Sequence, residues 1–341
     1  LETEHFAFHY PVSKKKEGND HYLTAEYSAR RFATVAEENW YDMCAQFNYF
    51  LKEKIHVLVL NQGDELQGFT IPSWDWIVMG AHPGGGMFSY SRGRMEWFST
   101  VFAHEFAHVV SLKAYAAHAE PTFVTALGGL YENGINVGPR GFGLNHVSAG
   151  LELPFADSDS VWWTEGGAEF WSGATNVNWW TSARDRTIRT SVLEDRLLTF
   201  EEWNTRYGKG QTGWNEGERY YQGGHSFALY LRERFGERVM AQFALEYGRG
   251  WRPTFETTVR DVLKEDPETL YYDWKEHITK RYNEQYDRVK EKGEVVGFAK
   301  SILDSFPEGI AFATLKSEEE AWVCLLADPA VVAKLQNHDV H

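Results

Sequence analysis

Two short segments of this chain carry side chains that can bind a metal ion and activate water. One is the pentapeptide His104-Glu105-Phe106-Ala107-His108, and the other runs from Trp163 to Glu169 with the sequence Trp-Thr-Glu-Gly-Gly-Ala-Glu. Helical residues four apart lie on one face, about 5–6 Å from each other, so His104 and His108 can bind the same ion. Glu105 then lies beside the open coordination position, where a carboxylate can act as a base toward a metal-activated water.

The residues around the histidine pair are apolar on nearly every side, which indicates a buried helix. They are Val101, Phe102, Ala103, Phe106, Ala107, Val109 and Val110. Imidazoles and a carboxylate without partners would be costly to bury in such surroundings. A bound dication with a further ligand removes that cost, although a pattern of three fixed letters also arises by chance in chains of this length.

The second segment offers the further ligand. Glu165 and Glu169 are also four residues apart, and four aromatic residues beside them favour an interior helix: Trp162, Trp163, Phe170 and Trp171. We expect Glu165 to bind the metal and Glu169 to contact the free ring nitrogen of a ligand histidine, most simply His104, since such carboxylates orient metal-binding imidazoles. Thr164 is expected to serve His108 in the same way. If both carboxylates faced water instead, they would repel weakly and carry no function.

Two glycines interrupt this helical segment. Gly166 and Gly167 each cost about 1 kcal/mol relative to alanine inside a helix, so a packing reason for them is expected. Their small size is predicted to let this helix approach the helix of His104 closely.

These motifs resemble those of the gluzincin zinc metallopeptidases, in which a histidine pair is followed by a Glu-Gly-x-Ala motif. The resemblance is to the peptidase MA-like family in particular, which is related to the membrane alanyl aminopeptidases. Residues 165 to 175 also resemble the corresponding stretch of bacterial collagenases. The resemblance implies one Zn²⁺ ion held by His104, His108 and Glu165, with Glu105 as general base and a peptide or protein as substrate.

A third segment agrees with this family. It runs from Tyr220 to Leu231, and in these enzymes a tyrosine ahead of such a helix hydrogen-bonds the tetrahedral oxyanion. The alignment favours Tyr221 for this role, then Tyr220, with His225 as a further donor. A tyrosine that merely packs at the start of a helix remains the alternative for either residue.

The chain departs from its relatives in two places. The interval between His108 and Glu165 is longer than in the aminopeptidases, which implies an insertion. The aminopeptidase anchor Gly-x-Met-Glu-Asn is missing upstream, and the most similar string, Gly84-Gly85-Gly86-Met87-Phe88, has no acidic residue. Aminopeptidase specificity is therefore not implied.

The hydrophobic pattern predicts an α+β fold. Residues 5–10 and 55–60 alternate as strands, a helix is expected over residues 22–50, and Trp76-Ile77-Val78-Met79 is a third strand. The resemblance adds that the fold is zincin-like, with a small mixed N-terminal sheet over the active-site helix and a mainly helical C-terminal part. An edge strand near residues 75–90 is predicted to accept extended substrate, although Gly84 to Gly86 also suit an ordinary turn.

These patterns divide the chain into a peptidase-like domain, residues 1–290, and a short appendage, residues 291–341. Within the first, we expect a sheet subdomain over residues 1–112, an insertion over 113–156 and a helical subdomain over 157–290. Gly236 is predicted to end the helix that contains Phe235.

Composition limits the partners. The 341 residues are 43% hydrophobic, enough for a large core, and carry a net charge of −15, which argues against nucleic acid or anionic lipid as a partner. No membrane span is expected, a secreted or periplasmic location is favoured, and the oligomeric state is left open.

The chain has two cysteines, Cys44 and Cys324, which are expected to be separate buried thiols rather than a pair.

Two other functions remain open at this point. The chain would be a metal-binding or interaction module if the fold were kept without hydrolysis. It would be a different hydrolase if the same site acted on a non-peptide bond.

Overall fold

A small mixed sheet and two long helices form the N-terminal part of the protein. The computed structural model describes residues 1–11, 21–61, 68–71, 75–82, 97–118, 161–174, 180–203, 214–247, 255–292, 312–315 and 321–324. The first elements in chain order are β1 (Phe6–His9), α1 (His21–Phe47), β2 (Ile55–Leu60), β3 (Gly68–Ile71), β4 (Trp76–Gly80) and α2 (Trp97–His118).

The sheet has the strand order β1-β2-β4-β3. Strands β1, β2 and β4 are parallel, and β3 pairs with β4 in the antiparallel direction. Alternate residues of β2 are buried, as expected for a strand with one face on a core. On β1, the ring of Phe6 packs edge-on against Phe102 and Phe106 of α2, with centroid distances of 5.6 and 5.3 Å. The sheet therefore supports the helix that carries the histidine pair.

The edge of the sheet differs from the expected one. Among the described residues β4 is an interior strand, because it lies between β2 and β3, and the short strand β3 forms the edge. The assignment of the edge to residues 75–90 was thus wrong for β4, while Gly84 to Gly86 lie outside the described residues. Strand β3 has only four residues, Gly-Phe-Thr-Ile, and gives almost no periodic signal.

From residue 161 to residue 291, the described parts of the chain are mainly helical. The helices in this range are α3 (Val161–Ala174), α4 (Ser182–Leu193), α5 (Phe200–Trp203), α6 (Trp214–Phe235), α7 (Val239–Tyr247), α8 (Phe255–Leu263) and α9 (Pro267–Glu291). Thr181 caps α4 by accepting a hydrogen bond from the Arg184 backbone N–H. Gly236 follows α6 with a φ of +99°, which confirms the predicted stop, since glycine adopts this conformation without a steric cost. The described architecture is thus α+β, a small sheet followed by helices.

The glycines of α3 serve a different contact from the one expected. A Cβ on Gly166 would lie 2.4 Å from the Gly224 Cα and 2.9 Å from the His225 backbone nitrogen, both on α6. A Cβ on Gly224 would in turn meet the Trp162 carbonyl oxygen at 2.5 Å. The predicted role of Gly166 was therefore wrong in its partner helix: its small size, with that of Gly224, lets the backbones of α3 and α6 touch.

The chain divides into two compact units, Leu1–Tyr282 and Asn283–His341. The division falls within α9, earlier than the expected boundary near residue 290. In the second unit, β5 (Phe312–Leu315) pairs with β6 (Ala321–Cys324) in the antiparallel direction. Helix α2 continues to His118, past residue 113 where the insertion was expected to begin, and its Lys113 pairs with Asp75 in the turn before β4. Residues 119–156 lie outside the described residues.

Cys44 is a buried free cysteine, and burial raises the pKa of its thiol to about 11. This agrees with the expectation of an unpaired thiol and makes Cys44 a poor nucleophile.

Across the described residues, no helix combines the length and apolar character needed to cross a bilayer.

The backbone contact between α3 and α6 predicts unequal effects of two neighbouring substitutions. Gly166→Ala should lower the free energy of unfolding by about 1–3 kcal/mol, because the new Cβ meets backbone that cannot move aside. Gly167→Ala is the matched control, since the nearest atoms to its Cβ belong to the Trp171 side chain, at 3.0 Å, and not to backbone. Denaturant unfolding of both variants tests this, and a Gly166→Ala protein as stable as the Gly167→Ala protein would contradict it.

Candidate metal centre

Helices α2 and α3 bring two imidazoles and a carboxylate together. The Nε2 atom of His104 lies 3.2 Å from Nε2 of His108 and 3.1 Å from Oε2 of Glu165, and the distance from His108 Nε2 to Glu165 Oε2 is 3.4 Å. Tetrahedral zinc ligands, bound at about 2.0–2.1 Å from the ion, lie about 3.3–3.4 Å from one another. The three donor atoms thus have the spacing of three corners of a zinc coordination tetrahedron, and they form the one such group found among the described residues.

The local charges favour a cation at this point. Burial lowers the pKa of His104, but the carboxylates of Glu169, Glu165 and Glu105 outweigh it and raise this pKa to about 10. For Glu165 the signs are reversed: burial raises the pKa of its carboxyl group. Hydrogen bonds from the two histidines outweigh this effect, and the pKa of Glu165 falls well below its usual range. The carboxylates therefore stabilise positive charge on or beside His104, and a bound dication supplies it directly.

A chain of buried polar side chains continues behind His104. Oε1 of Glu169 lies 3.3 Å from His104 Nδ1, and its other oxygen, Oε2, lies 2.7 Å from Nη1 of Arg184 on α4. The same Nη1 donates to Gln222 Oε1 at 2.9 Å, and Gln222 Nε2 donates to Glu218 Oε2 at 2.7 Å. Glu169, Arg184 and Gln222 are completely buried. Arg184 thus compensates the charge of the carboxylate that contacts the ligand histidine.

Glu105 lies on α2 between the two histidine turns and is 7% exposed. The Thr70 hydroxyl on β3 is 2.8 Å from Glu105 Oε2 and 2.9 Å from the Glu105 carbonyl oxygen. Gly68, two residues earlier on the same face of β3, leaves room for this side chain, since a Cβ there would be 3.1 Å from Glu105 Cγ. The edge strand therefore forms one wall around the expected base.

The structure separates the candidate oxyanion donors. The ring of Tyr221 lies 5.8 Å from the His104 ring and is partly exposed. Tyr220 is buried, and its hydroxyl donates to the Glu202 carbonyl oxygen on α5 at 3.1 Å.

His225 is also buried, with its ring edge-on to Phe170 and Trp180 at 6.5 and 5.2 Å. Tyr221 is therefore the candidate that borders the metal centre. Thr164 is half-buried on α3 next to Glu165, and its role toward His108 remains a prediction.

Sequence reasoning missed Thr70, Gly68, Arg184 and Gln222. None of them belongs to a spaced motif, and each reaches the site through a tertiary contact.

Comparisons of the chain with protein-family models, with characterised proteins and with solved structures give no match. The interpretation of the site therefore depends on its own geometry.

The ion pair between Arg184 and Glu169 predicts a large and correctable loss of stability. Arg184→Met should lower the free energy of unfolding by about 3–5 kcal/mol, because it leaves the buried Glu169 carboxylate without its counter-charge. The double variant Glu169→Gln with Arg184→Met should recover most of that loss, since both charges are then absent.

Arg189→Met serves as the control. Arg189 pairs with Asp185 on the same helix but is 34% exposed, so its loss should cost less than about 1 kcal/mol. Denaturant unfolding of the four proteins tests the pairing, and an equal loss in the single and double Arg184 variants would exclude it.

Proposed function

We propose that this protein is a zinc-dependent peptidase of the gluzincin type. The observation that carries the proposal is the triangle formed by His104 Nε2, His108 Nε2 and Glu165 Oε2, with side lengths of 3.1–3.4 Å. The same helix places Glu105 next to this triangle. Three protein donors with a fourth position left for a small molecule are typical of catalytic rather than structural zinc sites.

The donor set supports zinc over Mg²⁺ and Ca²⁺. Two imidazole nitrogens and one carboxylate oxygen suit Zn²⁺, whereas Mg²⁺ and Ca²⁺ prefer oxygen ligands throughout. Glu169 adds the carboxylate that typically orients a zinc-binding histidine. The motif resemblance to the gluzincins adds to this chemistry, and so does the position of the sheet edge beside the base.

Each described residue of the site then has a chemical task. A zinc ion held by His104, His108 and Glu165 would supply a Lewis acid able to polarise the scissile carbonyl and to make water more acidic. Glu105 accepts the proton of the attacking water and delivers it to the leaving amine. Tyr221 is proposed to donate a hydrogen bond to the oxyanion, a contribution whose loss typically lowers turnover about 10²–10³-fold. Glu169, held by Arg184, keeps the His104 ring in its orientation.

The complete set of groups argues against one of the two alternatives and does not distinguish the other. A metal-binding module without activity has no use for a buried base beside the ligands, so the intact Glu105 favours an enzyme. Hydrolysis of a non-peptide bond would use the same groups, and product analysis is needed to separate the two reactions.

The decisive variant is Glu105→Gln. It should retain zinc at one ion per chain and lose peptide hydrolysis, because the amide cannot accept the water proton. Zinc content by elemental mass spectrometry, and cleavage sites in a peptide mixture by mass spectrometry, measure the two properties. Glu26→Gln, an exposed glutamate that pairs with Arg30, is the control and should keep full activity. Retained hydrolysis by Glu105→Gln, or no hydrolysis by zinc-loaded wild-type protein, would refute the proposal.

The metal ligand on α3 gives a separate prediction. Glu165→Gln should weaken zinc binding by more than the roughly 10–100-fold typical for loss of an outer-shell partner, since it removes a donor atom itself. Zinc should raise the unfolding temperature of wild-type protein and have little effect on the variant, because only a ligand that binds the folded state stabilises it. Chelator competition and thermal unfolding measure both effects, and equal zinc affinities would remove Glu165 from the ligand set.

A further inference from the structure

Strand β3 presents two of its residues to the expected base. Gly68 and Thr70 are two residues apart and so share one face of the strand, while Phe69 between them is 45% exposed on the other. The space left by Gly68 is occupied by Glu105 Cγ, Met79 Sδ and Val101 Cγ1, each 3.1 Å from the position of a Cβ. The Glu105 side chain therefore passes over Gly68 and ends at Thr70.

The Thr70 hydroxyl is the only hydrogen-bond partner of the Glu105 carboxylate within the described parts of the chain. It contacts Oε2, so Oε1 is left for another group. A glutamate has three side-chain torsions, and its carboxylate must be held close to one position to act on a water molecule. A displacement of about 1 Å in such a group can lower the rate about 10²-fold.

We propose that Thr70 is a positioning residue, which fixes the Glu105 carboxylate so that Oε1 faces the reacting water. This inference rests on the proposed function and deepens it. The hydroxyl has one proton and two acceptors in range, Glu105 Oε2 at 2.8 Å and the Glu105 carbonyl oxygen at 2.9 Å. It donates to the carboxylate before the water reacts. After Oε1 has taken the water proton, Oε2 is still a hydrogen-bond acceptor, so the hydroxyl can keep donating to it and the side chain keeps its place through the cycle.

The test compares Thr70→Val, which keeps the shape but loses the hydroxyl, with Thr70→Ser, which keeps the hydroxyl. Thr70→Val should lower kcat about 10–100-fold with little change in KM or in zinc affinity. Thr70→Ser should stay within about threefold of wild type. Thr34→Val is the matched control, because the exposed Thr34 hydroxyl donates to the Arg30 carbonyl oxygen of its own helix.

Crystal structures of the two Thr70 variants give a readout that does not depend on peptidase activity. The Glu105 carboxylate should move by about 1 Å or more in the valine variant and remain in place in the serine variant. An unmoved carboxylate in the valine variant, or an equal loss of kcat in both variants, would overturn the assignment. Absence of hydrolysis in wild-type protein would instead refute the peptidase proposal, and the position of Glu105 would still be decided by the crystal structures.

Discussion

The buried carboxylates around His104 impose the main constraint on this structure. Glu105, Glu165 and Glu169 lie close to the two imidazoles, and desolvated negative charges of this kind are tolerated only when they are compensated. Arg184 compensates one of them. The divalent cation that we propose would balance the other two, whereas protons on the histidines would occupy the nitrogen atoms that the proposal assigns to the metal. The same charge balance explains why Arg184 is buried.

Helix α3 joins this charge cluster to the rest of the fold. Its two glutamates, one turn apart, contact the two ring nitrogens of His104 from opposite sides, through Glu165 at Nε2 and Glu169 at Nδ1. On another part of its surface, Gly166 lets the backbone of α6 come into contact. Helix α6 carries Tyr221 and Gln222, so the candidate oxyanion donor and the partner of Arg184 come from the same helix. The sheet contributes from the other side through Thr70.

The sequence predicted the parts of the site that depend on helical spacing. His104 with His108, and Glu165 with Glu169, are separated by four residues, and this alone indicates which side chains share a face. Thr70 was missed because β3 has only four residues and lacks a periodic pattern, and Arg184 was missed because nothing local links α4 to α3. Gly166 was recognised as a packing residue, but its partner was wrong, since a glycine in a helix does not reveal which neighbour it faces. The α+β architecture was predictable from strand alternation, while the strand order depends on tertiary pairing.

The contact between Gly166 and Gly224 joins main chain to main chain. The closest approach of α3 and α6 is thus between two peptide backbones. In the proposed peptidase, substrate-facing positions on either helix could consequently vary in size, over evolution or in a mutagenesis library, without shifting Glu165 relative to Tyr221. Selectivity and catalytic alignment would then be separable, provided that Gly166 and Gly224 stay free of a β-carbon.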